Sequence, residues 1–170
     1  MIERIGLLTG CGRGIGYSIA TKILKSEEST LLVGISRSFN SHMDNLSKLY
    51  PNRFKFFEAD ICDYEKIKSV INRIYDEFGV LDFAICNAGC RSRRSVDDSS
   101  LDLYRSILEI NTISNINISK IIINKNIKYN AKLNILYLSS IVGSRGFNDL
   151  STYAVSKLAL EGFMKSAAVE

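Results

Sequence analysis

Apolar and polar positions along the chain fall into short β-type runs that alternate with longer stretches of helical period. Residues 3–9 (Glu-Arg-Ile-Gly-Leu-Leu-Thr) predict a first strand, and a glycine-rich turn leads from it into a helix over about 14–26. Leu31 to Ser36 predict a second strand and Phe54 to Glu58 a third. Between them a short helix at 41–49 ends before Pro51, because the residue ahead of a proline is steered away from helical backbone. From Asp63 to Phe78 the apolar residues Ile67, Val70, Ile71, Ile74 and Phe78 share one helical face, with Asp63 suited to the N-cap and Gly79 to the end. Leu81 to Cys86 is near-continuously apolar, the pattern of a strand buried on both faces of a parallel sheet. A long helix over roughly 101–126, a fifth strand at Leu133 to Ser139 and a last helix at about 151–169 complete the series.

Strand–helix alternation of this kind predicts βαβ units, hence an α/β fold with a doubly wound parallel sheet and helices on both faces. The dinucleotide-binding (Rossmann-like) version has six core strands. Five are predicted here, so the expectation is a single domain over 1–170 of this kind that is incomplete at its C-terminal edge.

Composition narrows the picture only a little. With 46% hydrophobic residues in a 170-residue chain there is enough apolar material for one real core. The net charge of +4 is spread along the chain and suits an anionic small ligand as well as nucleic acid. Cys11, Cys62, Cys86 and Cys90 lack paired metal-ligand spacing, and His42 is the only histidine, so no metal site is expected. Reduced thiols suit a cytoplasmic protein. Met1 leads straight into a strand pattern without a signal peptide. No apolar run approaches the ~18 residues of a membrane span.

Thr9-Gly10-Cys11-Gly12-Arg13-Gly14-Ile15-Gly16 stands where the first strand turns into the first helix. Glycine lets backbone turn tightly and approach a pyrophosphate there, and the helix N-terminus offers free N–H groups. The general G-x-G-x-x-G fingerprint is absent in every register; T-G-x-x-x-G-x-G is present, on Gly10, Gly14 and Gly16. After the second strand the sequence reads Gly34-Ile35-Ser36-Arg37-Ser38, with no acidic residue to accept from the ribose 2′-hydroxyl of NAD. Arg37 and Arg13 are either solvated surface charges or the partners of a 2′-phosphate, which a planar guanidinium fork suits.

The glycine turn resembles that of the short-chain dehydrogenase/reductase family in its classical branch, and further motifs follow in the same order. Asn87-Ala88-Gly89 after the fourth strand matches the family's N-A-G turn. Ser140, Tyr153 and Lys157 have its active-site spacing, and Asn111 matches the fourth member of the tetrad. Asp60 matches the adenine-binding aspartate, although a turn or cap role serves it equally. The resemblance implies NADP(H) held by Gly10, Arg13, Gly14, Ile15, Gly16, Arg37, Asp60, Asn87, Ala88, Gly89, Tyr153 and Lys157. Two departures stand out: Ser114 occupies a position where the family favours glycine, and the chain stops before the family's sixth strand and most of its substrate lid.

The chemistry explains the residue types. A nicotinamide delivers hydride to a carbonyl carbon, and the oxygen must then receive a proton. A free tyrosine has a pKa near 10, and a nearby ammonium favours its phenolate. Tyr153 and Lys157, four apart, share one helical face. By resemblance, Tyr153 is the general acid/base, Ser140 holds the substrate oxygen, Lys157 also binds the nicotinamide ribose, and Asn111 positions a water. Ser139 neighbours the serine position but is one residue off the spacing.

The expected partner is therefore a small-molecule carbonyl or alcohol substrate, with neither nucleic acid nor membrane, in a homodimer or homotetramer by resemblance. Arg91, Arg93 and Arg94 fit an anionic substrate or a solvated loop, and His42 is read as incidental on its short helix. The other functional reading is a catalytically silent NADP-binding regulatory or scaffold protein of the same fold.

Overall fold

The alternation is realised as five strands and six helices in the computed structural model, which describes residues 1–170. The elements run β1 (Arg4–Thr9), α1 (Gly14–Ser26), β2 (Thr30–Ser36), α2 (Ser41–Leu49), β3 (Phe54–Glu58), α3 (Tyr64–Phe78) and β4 (Phe83–Cys86). They continue with α4 (Leu101–Leu108), α5 (Ser114–Lys128), β5 (Asn134–Tyr137) and α6 (Ser151–Ala167). All strand pairs are parallel, in the order β3-β2-β1-β4-β5. The chain winds outward from β1 through β2 to β3, then returns to the other side of β1 with β4. That reversal opens a crevice beyond the C-terminal ends of β1 and β4, where open α/β sheets bind their ligands.

Period-two alternation sorts the core into two layers. Leu7 faces one side of β1 and Leu8 the other. Leu7, Val33 and Ile35 pack with Ile67, Ile71 and Ile74 of α3 and with Ile118 and Ile122 of α5. On the opposite face Leu8, Leu32 and Phe54 pack with Ala20 and Leu24 of α1 and with Met43 and Leu46 of α2. Each leucine so buried is worth about 1.5–3 kcal/mol over its exposed state. The two layers thus fix the sheet from both sides.

Helix ends follow the expected chemistry. The Asp63 carboxylate accepts the Lys66 N–H at 3.0 Å, and Gly79 ends α3 with φ at +104°.

Several boundaries differ from the sequence reading, among them β5, which covers Asn134–Tyr137 rather than Leu133 to Ser139. β4 begins at Phe83 rather than Leu81, because the Leu81 carbonyl accepts from Asn126 Nδ2 at 2.8 Å and Asp82 turns its carboxylate to the Ile5 N–H at 2.7 Å. The long helix predicted over 101–126 is interrupted by one π-helical turn, Glu109–Ile113, between α4 and α5. Ser114 Oγ donates to the Glu109 carbonyl across that turn at 2.8 Å. Inserted π turns of this kind concentrate at functional sites, and this one carries Asn111. No helix is long and apolar enough to cross a membrane.

Candidate active site

The glycine turn is stitched to the end of β4 by two polar side chains. Asn87 Nδ2 donates to the carbonyls of Thr9 at 2.9 Å and Gly10 at 3.0 Å. Thr9 Oγ1 accepts from the N–H groups of Asn87 at 3.1 Å and Ala88 at 3.0 Å. Glycine is required where the chains cross: a Cβ on Gly16 would sit 2.1 Å from the Gly10 carbonyl oxygen, and Gly10 itself has φ at +69°.

Between these segments lies a cleft of about 390 Å³, within the size range of cofactor sites. Gly10, Arg13, Gly14, Ile15 and Gly16 form one wall, Arg37 and Asp60 another, and Asn87, Ala88 and Gly89 the floor towards β4. Gly12, Ile35, Ser36, Ile61, Cys90 and Ile110 complete the lining. Arg13 and Arg37 are exposed at its rim. Asp60 lines the cleft, and its carboxylate accepts the Cys62 N–H at 3.0 Å, which is the turn role considered for it. Glycine backbone at the turn, with one guanidinium group on each of the two walls, fits a dinucleotide with an extra phosphate.

Ser140, Tyr153 and Lys157 do not line this cleft, and Lys157 lies just past Gly89. A Cβ on Gly89 would fall 3.0 Å from Asn111 Oδ1 and 3.7 Å from Lys157 Nζ, so the floor of the cleft comes close to the amine here. Lys157 is 4% exposed, unusual for a lysine. Its Nζ donates to the Leu138 carbonyl at 2.7 Å and lies 5.6 Å from the centroid of the Tyr153 ring. It forms no ion pair. Burial pushes its pKa below the ordinary lysine value. Burial raises the Cys90 thiol above its ordinary pKa, against a smaller lowering by the Arg37 and Lys157 charges.

Ser140 follows β5 and begins a short 3₁₀ turn, Ile141–Gly143, where its half-buried Oγ accepts the Val142 N–H at a long 3.4 Å. The neighbouring Ser139 is exposed and gives its hydroxyl to the Glu161 carboxylate. Of the two serines, Ser140 therefore keeps the freer hydroxyl.

Asn111 is fully buried on the π turn. Its Oδ1 accepts the Cys90 N–H at 2.8 Å, and its Nδ2 donates to the Cys90 carbonyl at 2.8 Å and to Ser156 Oγ at 2.9 Å. Its own carbonyl accepts from Asn115 Nδ2 at 2.9 Å. The side chain thus braces the loop after Gly89 against α6.

Several residues of this region stand outside the sequence reading. Ser156 and Asn115 hold Asn111, and Thr9, already part of the glycine motif, also holds the N-A-G turn. Asn40 caps α2 and also reaches the glycine turn, donating from Nδ2 to the Gly12 carbonyl at 2.8 Å. His42, read as incidental, stacks on the Tyr17 ring with centroids 4.3 Å apart. An asparagine just ahead of a helical pattern signals a cap; the bonds to distant loops have no local signal.

A family model described as short chain dehydrogenase matches residues 4–170. The chain is 28% identical over 180 residues to trans-4-hydroxycyclohexanecarboxylate dehydrogenase of Sinomonas cyclohexanicum, covering 99% of this chain and 66% of that protein. It is 30% identical to the 3-oxoacyl-(acyl-carrier-protein) reductase FabG of Salmonella typhimurium, covering 98% of this chain and 67% of that one. Among solved structures, ElxO with NADP bound superposes with a TM-score of 0.88 at 26% identity, covering 99% of this chain and 68% of that one. The chain thus spans about two thirds of the length of these relatives.

Proposed function

The chain belongs to the short-chain dehydrogenase family, and on that premise we propose that it transfers a hydride between NADP(H) and a carbonyl or alcohol group, acting as a carbonyl reductase. The observation that carries this reading is the buried Lys157 amine. It spends one bond on a carbonyl, has no carboxylate partner, and lies between the Tyr153 ring and the Gly89 edge of the glycine-lined cleft. Two of its three N–H donors stay available for ribose hydroxyls.

When bound, the nicotinamide supplies or accepts the hydride. Gly14 to Gly16 and the N-terminus of α1 hold the pyrophosphate, and Arg13 and Arg37 hold a 2′-phosphate. ElxO, a protein of the same fold, has NADP bound, and this supports the choice of nucleotide. The Tyr153 hydroxyl gives its proton to the substrate oxygen in reduction and takes it back in oxidation. The Lys157 charge stabilises the anion left on Tyr153, and Ser140 donates to the substrate oxygen as charge develops there. Asn111 acts at one remove, by holding the Cys90 loop in place.

The test is Tyr153→Phe in the full-length protein, with NADPH consumption followed against a panel of ketones and aldehydes. Turnover should fall by roughly 10²- to 10⁴-fold while NADPH binding persists. Unchanged turnover refutes the assigned chemistry. No turnover of any carbonyl by the unaltered protein, with NADPH still bound, favours the silent scaffold.

A further inference from the structure

The two arginines assigned to the 2′-phosphate stand on separate loops, Arg13 at the end of the glycine turn and Arg37 after β2. Both are exposed, and neither is fixed by an ion pair. Two long, mobile side chains grip one phosphate well only if the backbones beneath them keep a set separation. One side chain spans that gap.

Asn40, three residues after Arg37, donates from Nδ2 to the carbonyl of Gly12, the residue before Arg13, at 2.8 Å. Its Oδ1 accepts the N–H groups of His42 at 3.1 Å and Met43 at 3.2 Å, which caps α2. Gly12 permits the close approach: a Cβ there would lie 3.3 Å from both Asn40 Nδ2 and Ser36 Oγ. Two further contacts tie this region to the glycine turn, the Gly10 N–H to the Ile35 carbonyl at 2.8 Å and the Cys11 thiol to Met43 Sδ at 3.5 Å, but both lie farther from Arg13 than the Gly12 carbonyl does. The Phe39 N–H donates to the Glu58 carboxylate at 3.3 Å, and His42 stacks on Tyr17 of α1.

We propose that Asn40 is a positioning residue that sets selectivity for the 2′-phosphorylated nucleotide, by holding the Arg37 loop in register with the Arg13 loop. This rests on the NADP(H) reading above. The pyrophosphate end of the turn has its own anchor, Asn87, on the opposite side. Loosening Asn40 therefore affects the phosphate that distinguishes the two nucleotides far more than the part they share.

The test separates the two bonds of Asn40. Asn40→Ser keeps a good N-cap but is too short to reach Gly12, whereas Asn40→Ala loses both. NADPH and NADH are titrated against the full-length protein by nucleotide fluorescence, with thermal unfolding alongside. The NADPH-to-NADH affinity ratio should fall about three- to tenfold in both variants, with NADH affinity held within about twofold. Thermal stability should drop modestly in Asn40→Ser, which loses one bond, and further in Asn40→Ala, which also loses the cap. A ratio that survives Asn40→Ser overturns the role of Asn40 alone, as does an equal loss of both nucleotides. Equal affinity of the unaltered protein for the two nucleotides overturns the cofactor reading, and the role of Asn40 with it.

Discussion

Asn111→Ala removes three side-chain hydrogen bonds from a site with no exposed surface: two to Cys90 and one to Ser156. At about 1 kcal/mol net per bond the loss is about 3 kcal/mol. Little is added by stranded partners. Cys90 is half-buried and open to water, and Ser156 Oγ keeps its bond to the Tyr153 carbonyl at 2.8 Å. Against a typical domain stability of about 5–15 kcal/mol this is a large fraction. The chain has no tryptophan, so far-UV circular dichroism is the suitable probe of urea unfolding. With m at about 2 kcal/mol/M, the midpoint should fall by about 1.5 M at unchanged m. NADPH affinity should fall with it, because Gly89 and Cys90 lose their brace. Asn111→Asp should recover little, since it keeps the acceptor for the Cys90 N–H but sets a carboxylate against the Cys90 carbonyl. A loss below about 1 kcal/mol in Asn111→Ala would refute the bracing role.

Other outcomes follow from the same geometry. Lys157 is buried with its pKa depressed, so charging it opposes folding at neutral pH, and this penalty fades as pH rises through the depressed value towards the ordinary lysine range. Lys157→Met, after losing the bond to Leu138, should gain about 1 kcal/mol and about 2–4 °C in Tm at neutral pH while turnover disappears; the gain should shrink in alkaline buffer, and a lower Tm at neutral pH contradicts this. Gly16→Ala should abolish nucleotide binding in titration, because its Cβ would meet the Gly10 carbonyl at 2.1 Å and Asn87 Nδ2 at 2.5 Å; retained affinity contradicts the packing. Burial pushes the Cys11 and Cys86 thiols up to about 12, so alkylation mapped by mass spectrometry should spare both in the native protein. Half-buried Cys90, which lines the cleft, should be labelled slowly and protected by NADPH; native labelling of Cys11 would contradict this.

The strand and helix order was legible because each element announces itself over a few consecutive residues. The helix face of Ile67, Val70, Ile71 and Ile74 and the unbroken apolar run of β4 are local patterns with one packing solution. The π turn left no such trace. Isoleucines at 107, 110, 113, 116, 118 and 121–123 cover several helical phases, so one inserted residue disturbs no visible stripe. Candidate site residues were legible as types and spacings, but their partners were not. The Tyr153–Lys157 spacing puts both on one face, yet the burial of that face depends on β5 and on Gly89, far away in sequence. Asn111 matched a water-positioning role by resemblance; its side-chain bonds to Cys90 and Ser156 had no local signal. Asn40 carried a readable capping signal; its second bond, to a residue 28 positions earlier, exists only once β1 and β2 are paired.

The central claim is that this cleft holds NADP(H) through Arg13 and Arg37, and a titration of NADPH and NADH against the unaltered protein and Arg37→Asp tests it most directly. The unaltered protein should favour NADPH by roughly ten- to hundredfold, the worth of charge-assisted bonds to one phosphate, and Arg37→Asp should erase or invert that preference. Failure to bind either nucleotide, or a preference that Arg37→Asp leaves intact, would contradict it.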